Sequence, residues 1–211
     1  MTATTTGARL LLTERDVLLP ILRRTPVEAF DRPTVCTGWT VRDVIAHCGC
    51  ALTRAAEGRM HRFTPELNEI DVDERRSWPL GQVVAELEQG YGSAAEAMTA
   101  AAGKLDDLAL GEWIHGGDVR EALDEPRPYE SEGVEDALLV LVDRSRRRDV
   151  PPTVVRLPDR ELRLGAGASG TPPAELDTDV PTLIRLSAGR RPDPTRFRLT
   201  GADPAQYLVF E

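Results

Sequence analysis

Apolar residues recur every three to four positions through residues 1–150 and every second position after Pro151-Pro152, so the chain reads as a helical part followed by a mixed one. The spacing predicts a first helix over 13–24, with Thr13 and Asp16 at its start and a kink or early stop at Pro20. A second helix begins at Thr40, where Thr40-x-x-Asp43 has a capping-box pattern. Val41, Val44, Ile45, Cys48 and Leu52 follow it at helical spacing. Residues 53–80 are polar, carry Pro65 and Pro79, and read as a long loop or lid. Further helices are predicted over 80–102, with bending at Gly90 and Gly92, over 105–123, ended by Pro126 and Pro128, and over 133–146. Beyond Pro152 the pattern predicts strands at 154–156, 162–164, 174–179 and 196–199, a short helix over 181–188 and a last helix over 203–210. The resulting fold class is mainly α, with a helical domain over 1–150 and a small α+β domain over 151–211.

Composition narrows the function. The 211 residues carry 26 Lys and Arg against 35 Asp and Glu, a net charge of −9, which argues against binding a nucleic-acid backbone. No apolar run approaches the roughly 18 residues of a membrane span, and the amino terminus lacks the basic start of a secretory signal. Three cysteines, two of them separated only by Gly49, point to a reducing, cytoplasmic setting.

The chain has only three histidines, so their placement is informative. Around the helix over 105–123, at about 100° per residue from Leu108, Glu112 falls at about 40° and His115 at about −20°. Both lie in the middle of the apolar stripe, with Val119 beside them. A glutamate there is costly to bury unless a cation compensates it. Glu-x-x-His at i, i+3 lets one helix present two ligands inward. His47, at the edge of the second helix's buried face, is the third candidate ligand, giving a three-ligand set with open positions. The alternatives stay open: His115 satisfied by a backbone carbonyl, or Glu112 paired with Arg42, Arg54 or Arg120. Gly116-Gly117 implies close approach of a neighbour or a local helix break. Asp118 is placed to orient His115 or to pair with an arginine. Cys48 lies in the apolar stripe and Cys50 points away from it, so the two do not converge with His47. Trp39 and Trp113 are pocket walls or core. The arginine run 144–148 reads as a solvated face, and His61 as exposed.

The run Cys36-Thr37-Gly38-Trp39-Thr40-Val41-Arg42-Asp43-Val44-Ile45-Ala46-His47 resembles the C-x-G-W-T-V-x-D-x-x-x-H segment of the mycothiol-dependent maleylpyruvate isomerase family, within the DinB-like metalloenzyme superfamily. Glu112-Trp113-Ile114-His115-Gly116-Gly117-Asp118-Val119-Arg120 is similar to its second signature. Ser187-Ala188-Gly189-Arg190 and Leu199-Thr200-Gly201-Ala202 are similar to its small appended domain. The resemblance implies a DinB-like four-helix bundle holding a divalent metal, zinc above all, on His47, Glu112 and His115. In that family the glutamate usually stands four residues before the histidine; here that position is Gly111. The resemblance further implies mycothiol as thiol cosubstrate, whose thiolate adds to an activated alkene, allows rotation and is eliminated, or is transferred. The substrate would be a small electrophile such as a maleylpyruvate-like acid. Asp118 and Arg120 are then assigned to the reaction and Trp39 and Arg190 to the thiol, in a monomer or homodimer. The alternative is a non-catalytic small-ligand-binding protein on the same fold.

Overall fold

The computed structural model describes residues 4–60, 64–167 and 172–210. His61, expected to be exposed, lies outside them. The chain divides into two compact units, Met1–Ala137 and Leu138–Glu211.

The first unit is built on five helices, four of which form its bundle. The first, α1, runs over Thr6–Arg24, with Thr5 accepting from Ala8 N at its start, so it begins a full two turns before the Thr13 signal. Pro20 neither ends nor splits it. Pro20 is exposed, and so is Asp16, whose carbonyl loses its helical partner there and is left to water. The second, α2, spans Val41–Ala56 behind the expected capping box: Thr40 accepts from Asp43 N, and Asp43 accepts from Thr40 N. A short helix, α3, spans Pro65–Arg75 where a loop or lid was expected. Thr64 caps it and Pro65 occupies its first turn, but what docks it is charge. Asp71 is buried against Arg54 at 2.6 Å, and Arg75 forks onto Glu86 at 2.6 and 2.7 Å. The fourth element, α4, runs unbroken over Leu80–Ala100. Gly90 is there for contact with α2, since a Cβ would sit 2.8 Å from Leu52 Cβ. Next, α5 spans Asp106–Ala122 and is buried on nearly all sides from Leu108 to Arg120. Helices α1, α2, α4 and α5 pack on one another as a four-helix bundle, with α3 against α2.

A further helix, α6, covers Val134–Arg147 and straddles the division between the units. Its second half belongs with the C-terminal unit. Arg144 Nε donates to Val209 O at 2.9 Å, and Ser145 Oγ accepts from Gly165 N at 2.9 Å, which is why the division falls within α6 and not at Pro151-Pro152. Arg144, expected on a solvated face, is therefore buried, with its guanidinium over the Phe210 ring.

The C-terminal unit holds a four-stranded sheet in the order β2-β1-β3-β4, formed by β1 (Thr153–Arg156), β2 (Glu161–Leu164), β3 (Ala174–Asp177) and β4 (Arg198–Thr200). β1 pairs antiparallel with β2 and parallel with β3, and β4 closes the other edge antiparallel to β3. Between β3 and β4 runs α7 (Val180–Ser187), started by an Asp179 side-chain cap with Pro181 in the first turn. The last helix expected over 203–210 is only a 3-10 turn, Pro204–Tyr207. The Tyr207 hydroxyl reaches 2.7 Å to Thr153 Oγ1, and Val209 N bonds to Ser187 O instead of continuing a helix. The fold is thus mainly α with a small α+β C-terminal part. No helix among the described residues is long and apolar enough to cross a membrane.

Candidate metal centre

The centre is assembled from α2, α5 and the turn that precedes α2. That turn is tied at its base by bridge pairing of Pro33 with Thr40. Thr34 Oγ1 accepts from Cys36 N, and Trp39 N donates to Cys36 O at 2.9 Å, so the turn is closed tightly around Cys36. Trp39 Nε1 donates to Glu69 Oε2 of α3 at 2.9 Å, which sets its ring beside His47, 5.1 Å between centroids. The polar stretch read as a loop thus contributes the acceptor that holds this wall.

His47 is buried, and its ring stands edge-on to His115 with centroids 5.4 Å apart. The two imidazoles expected to act together are neighbours. Glu112, one turn before His115 on α5, is 2% exposed, so its carboxylate is in the core as the stripe arithmetic requires. None of its three suggested arginine partners serves it. Arg42 donates to the carbonyls of Arg75, Arg76 and Trp78, Arg54 pairs with Asp71, and Arg120 pairs with Glu14. The Cys48 thiol hydrogen-bonds to Glu112, while Glu112 Oε2 has no hydrogen-bond partner. Burial is the main cause that pushes this carboxyl up to about 8, with the nearby Glu14 charge adding to it and the Cys48 hydrogen bond opposing it. A buried, under-satisfied carboxylate suits a cation, but among the described residues the ligand atoms that converge closely are those of Cys36, His115 and Asp118, and the expected set of His47, Glu112 and His115 is not brought together as tightly.

His115 is held from the side by Asp118, with Nδ1 3.1 Å from Oδ2. Cys36 Sγ donates to the same Oδ2 at 3.2 Å and lies 3.7 Å from His115 Nδ1. The Tyr129 hydroxyl donates to Asp118 Oδ1 at 2.7 Å and lies 3.1 Å from Glu121 Oε2. Asp118 therefore faces His115. Gly116 and Gly117 stay helical, and both meet close neighbours. A Cβ on Gly116 would lie 1.7 Å from Glu14 Oε1, and one on Gly117 would lie 2.4 Å from the Tyr129 ring. The paired glycines let Glu14 and Tyr129 reach the α5 backbone.

The other candidate residues lie apart from this cluster or are otherwise engaged. Arg120 is buried, its Nη1 on Glu14 and its Nε donating to Pro128 O at 2.8 Å. Trp113 is core, with Nε1 donating to Ser131 Oγ at 3.1 Å. Arg190 belongs to the C-terminal unit and donates to Ala188 O at 2.6 Å. Cys48 faces Glu112, whereas Cys50 lies in the field of Arg75, Asp71, Arg54 and Glu86, so the two thiols do diverge. Sequence reasoning missed the placement of Cys36 and Tyr129. Only the closeness of Cys36 to the Trp39–His47 segment hinted at the first, and Tyr129 gave no signal.

The family model described as "Mycothiol maleylpyruvate isomerase N-terminal domain" matches residues 11–125. A solved structure titled as the mycothiol-dependent maleylpyruvate isomerase is similar at 15% identity, covering 93% of this chain and 92% of that one, with a TM-score of 0.57. A histidine-to-alanine mutant of that isomerase is similar at 14% identity with the same coverage and TM-score. No curated protein matches the chain.

Proposed function

Because the chain belongs to the mycothiol maleylpyruvate isomerase N-terminal domain family, we propose that it is a divalent-metal- and low-molecular-weight-thiol-dependent enzyme. In this reading it is an isomerase or S-transferase that uses mycothiol and acts on a small electrophilic substrate such as a maleylpyruvate-like unsaturated acid. The observation that carries the reading is Glu112: a carboxylate buried in the bundle core without a cationic side chain, on the same helix that presents the His115 ring to His47.

His47, Glu112 and His115 would hold the metal, with zinc the expected ion for a mixed nitrogen and oxygen set. When bound, the cation supplies positive charge that keeps a thiol as its thiolate near neutral pH. The protein's own groups prepare this. Asp118 accepts from His115 Nδ1, which fixes the ring and leaves Nε2 as the coordinating nitrogen. Tyr129 in turn fixes Asp118. Trp39 lies against His47 and gives the thiol an apolar wall. Arg120 acts through Glu14, which it holds against α5 at Gly116, and does not itself touch substrate.

Elemental analysis and turnover test this together. Near-stoichiometric zinc, lost in His115→Ala, and isomerisation of an unsaturated acid that requires mycothiol and fails in Glu112→Ala are expected. Protein that takes up no metal after reconstitution with zinc would overturn the reading. Metal and thiol binding without turnover would leave a ligand-binding protein on the same fold.

A further inference from the structure

A second donor set lies on the other nitrogen of His115. Cys36 Sγ, His115 Nδ1 and Asp118 Oδ2 are separated by 3.1, 3.2 and 3.7 Å, and among the described residues they form the cluster compact enough to grip one ion. A tetrahedral zinc-class ion with sulfur at ~2.3 Å and nitrogen and oxygen at ~2.0–2.2 Å spaces its ligand atoms roughly 3.4–3.6 Å apart. The three atoms therefore already stand near three corners of such a tetrahedron, needing shifts of only a few tenths of an ångström.

We propose that Cys36, His115 and Asp118 form a distinct binding site for a thiophilic divalent cation of the zinc and cobalt class. The chemistry fits. A thiolate, an imidazole and a carboxylate suit zinc or cobalt better than the hard cations magnesium and calcium. Binding displaces the thiol proton of Cys36 and the Nδ1 proton of His115 to solvent, and the carboxylate oxygen that received both hydrogen bonds takes up the ion. Tyr129 supports the site from behind by holding Asp118 Oδ1, as supporting hydrogen bonds do for metal-bound carboxylates. Cys36 and His115 are half-buried while Asp118 is fully buried, and the fourth ligand would be water or a small thiol.

The site uses no atom of His47 or Glu112, but it takes the Nδ1 of His115 and the Oδ2 of Asp118, whose hydrogen bond orients the ring in the reading above. The two positions share one ring. Filling both leaves the imidazole with no N–H proton, so a cation in one position weakens binding in the other.

The test is cobalt titration of metal-free protein, read by the near-ultraviolet sulfur-to-cobalt charge-transfer band. In Glu112→Gln, where the His47–Glu112–His115 set is disabled, the band is expected within the first equivalent. Cys36→Ser in that background should lose the band completely, and Tyr129→Phe should weaken cobalt binding by roughly 10- to 100-fold. Cys36 sits on a half-exposed turn, so Cys36→Ser should fold normally by circular dichroism. Absence of the band in Glu112→Gln, or a band that survives Cys36→Ser and so arises from Cys48, would overturn the proposal. Cobalt that Cys36→Ser binds and Cys36→Ser/Glu112→Gln does not reports on the His47–Glu112–His115 set alone.

Discussion

Removing the charge of Glu112 should stabilise the metal-free protein, and the gain should grow with pH. The carboxyl, with an ordinary value of 4.5, is raised to about 8 in the folded chain. Below 4.5 it is protonated folded and unfolded, and ionisation costs the fold nothing. Between 4.5 and 8 the folded state keeps a proton that the unfolded state has released, so stability falls as pH rises through this window. Above 8 the full cost of ionising in the core weighs on the fold, on the order of 3–5 kcal/mol. Glutamine keeps an acceptor for the Cys48 thiol and removes the charge. Urea unfolding of wild type and Glu112→Gln, both in a chelator, at pH 5.5 and 8.5 measures the effect. Taking the difference between the proteins cancels the titrating groups that do not interact with Glu112; Glu14, whose carboxyl burial also raises, is coupled to it and adds to the same difference. Glu112→Gln should gain a few kcal/mol on the wild type between the two pH values. Zinc should restore the wild type at pH 8.5 by mass action and leave Glu112→Gln/Cys36→Ser, which lacks both candidate cation sites, nearly unmoved. Parallel stabilities at both pH values would refute the argument, because they would mean that water reaches the carboxylate and that no cation is needed to compensate it.

Other substitutions probe the supports of the centre. Gly117→Ala drives a methyl group into the Tyr129 ring and should cost about 1–3 kcal/mol in chemical denaturation; an unchanged midpoint would show that Tyr129 yields freely. Arg120→Met strands Glu14 in the core and should cost about 3–5 kcal/mol, whereas Glu14→Leu/Arg120→Met should be far closer to wild type; equal losses in both would refute the buried-pair account. Tyr207→Phe, which removes the 2.7 Å contact with Thr153, should cost about 1 kcal/mol, measured by thermal unfolding.

The sequence made some of this legible where the physics is local. The Thr40–Asp43 capping box, the inward turn of Glu112 and the close approach at Gly116-Gly117 all follow from spacing along one helix, and the first hairpin from alternation. What escaped depends on distant partners. Helix α3 looked like a loop because its buried residues Asp71 and Arg75 are charged; Arg54 and Glu86, from α2 and α4, make their burial tolerable. The start of α1 lies in a Thr- and Gly-containing stretch with weak intrinsic preference, and the Thr5 cap and packing of the helix decide it. Cys36 meets α5 because the turn before α2 folds onto residues some 80 positions further on, which no periodicity encodes. The domain limits 1–150 and 151–211 followed the change of pattern, whereas the bonds of Arg144 and Ser145 bind the end of α6 to the C-terminal unit.

The two bare positions on α5 also set how the centre captures a ligand. Glu14 and Tyr129 rest where side chains would otherwise stand, so turning α5 by one residue would drive a side chain into one of them. The helix is locked in one register. On the function proposed above, Glu112 and His115 are then set by the packing of the bundle before any ion arrives. The entropy of bringing ligands together is spent during folding, and little of it is left to subtract from the affinity of the bound state. An incoming ion should therefore bind tightly while producing almost no change in helix content.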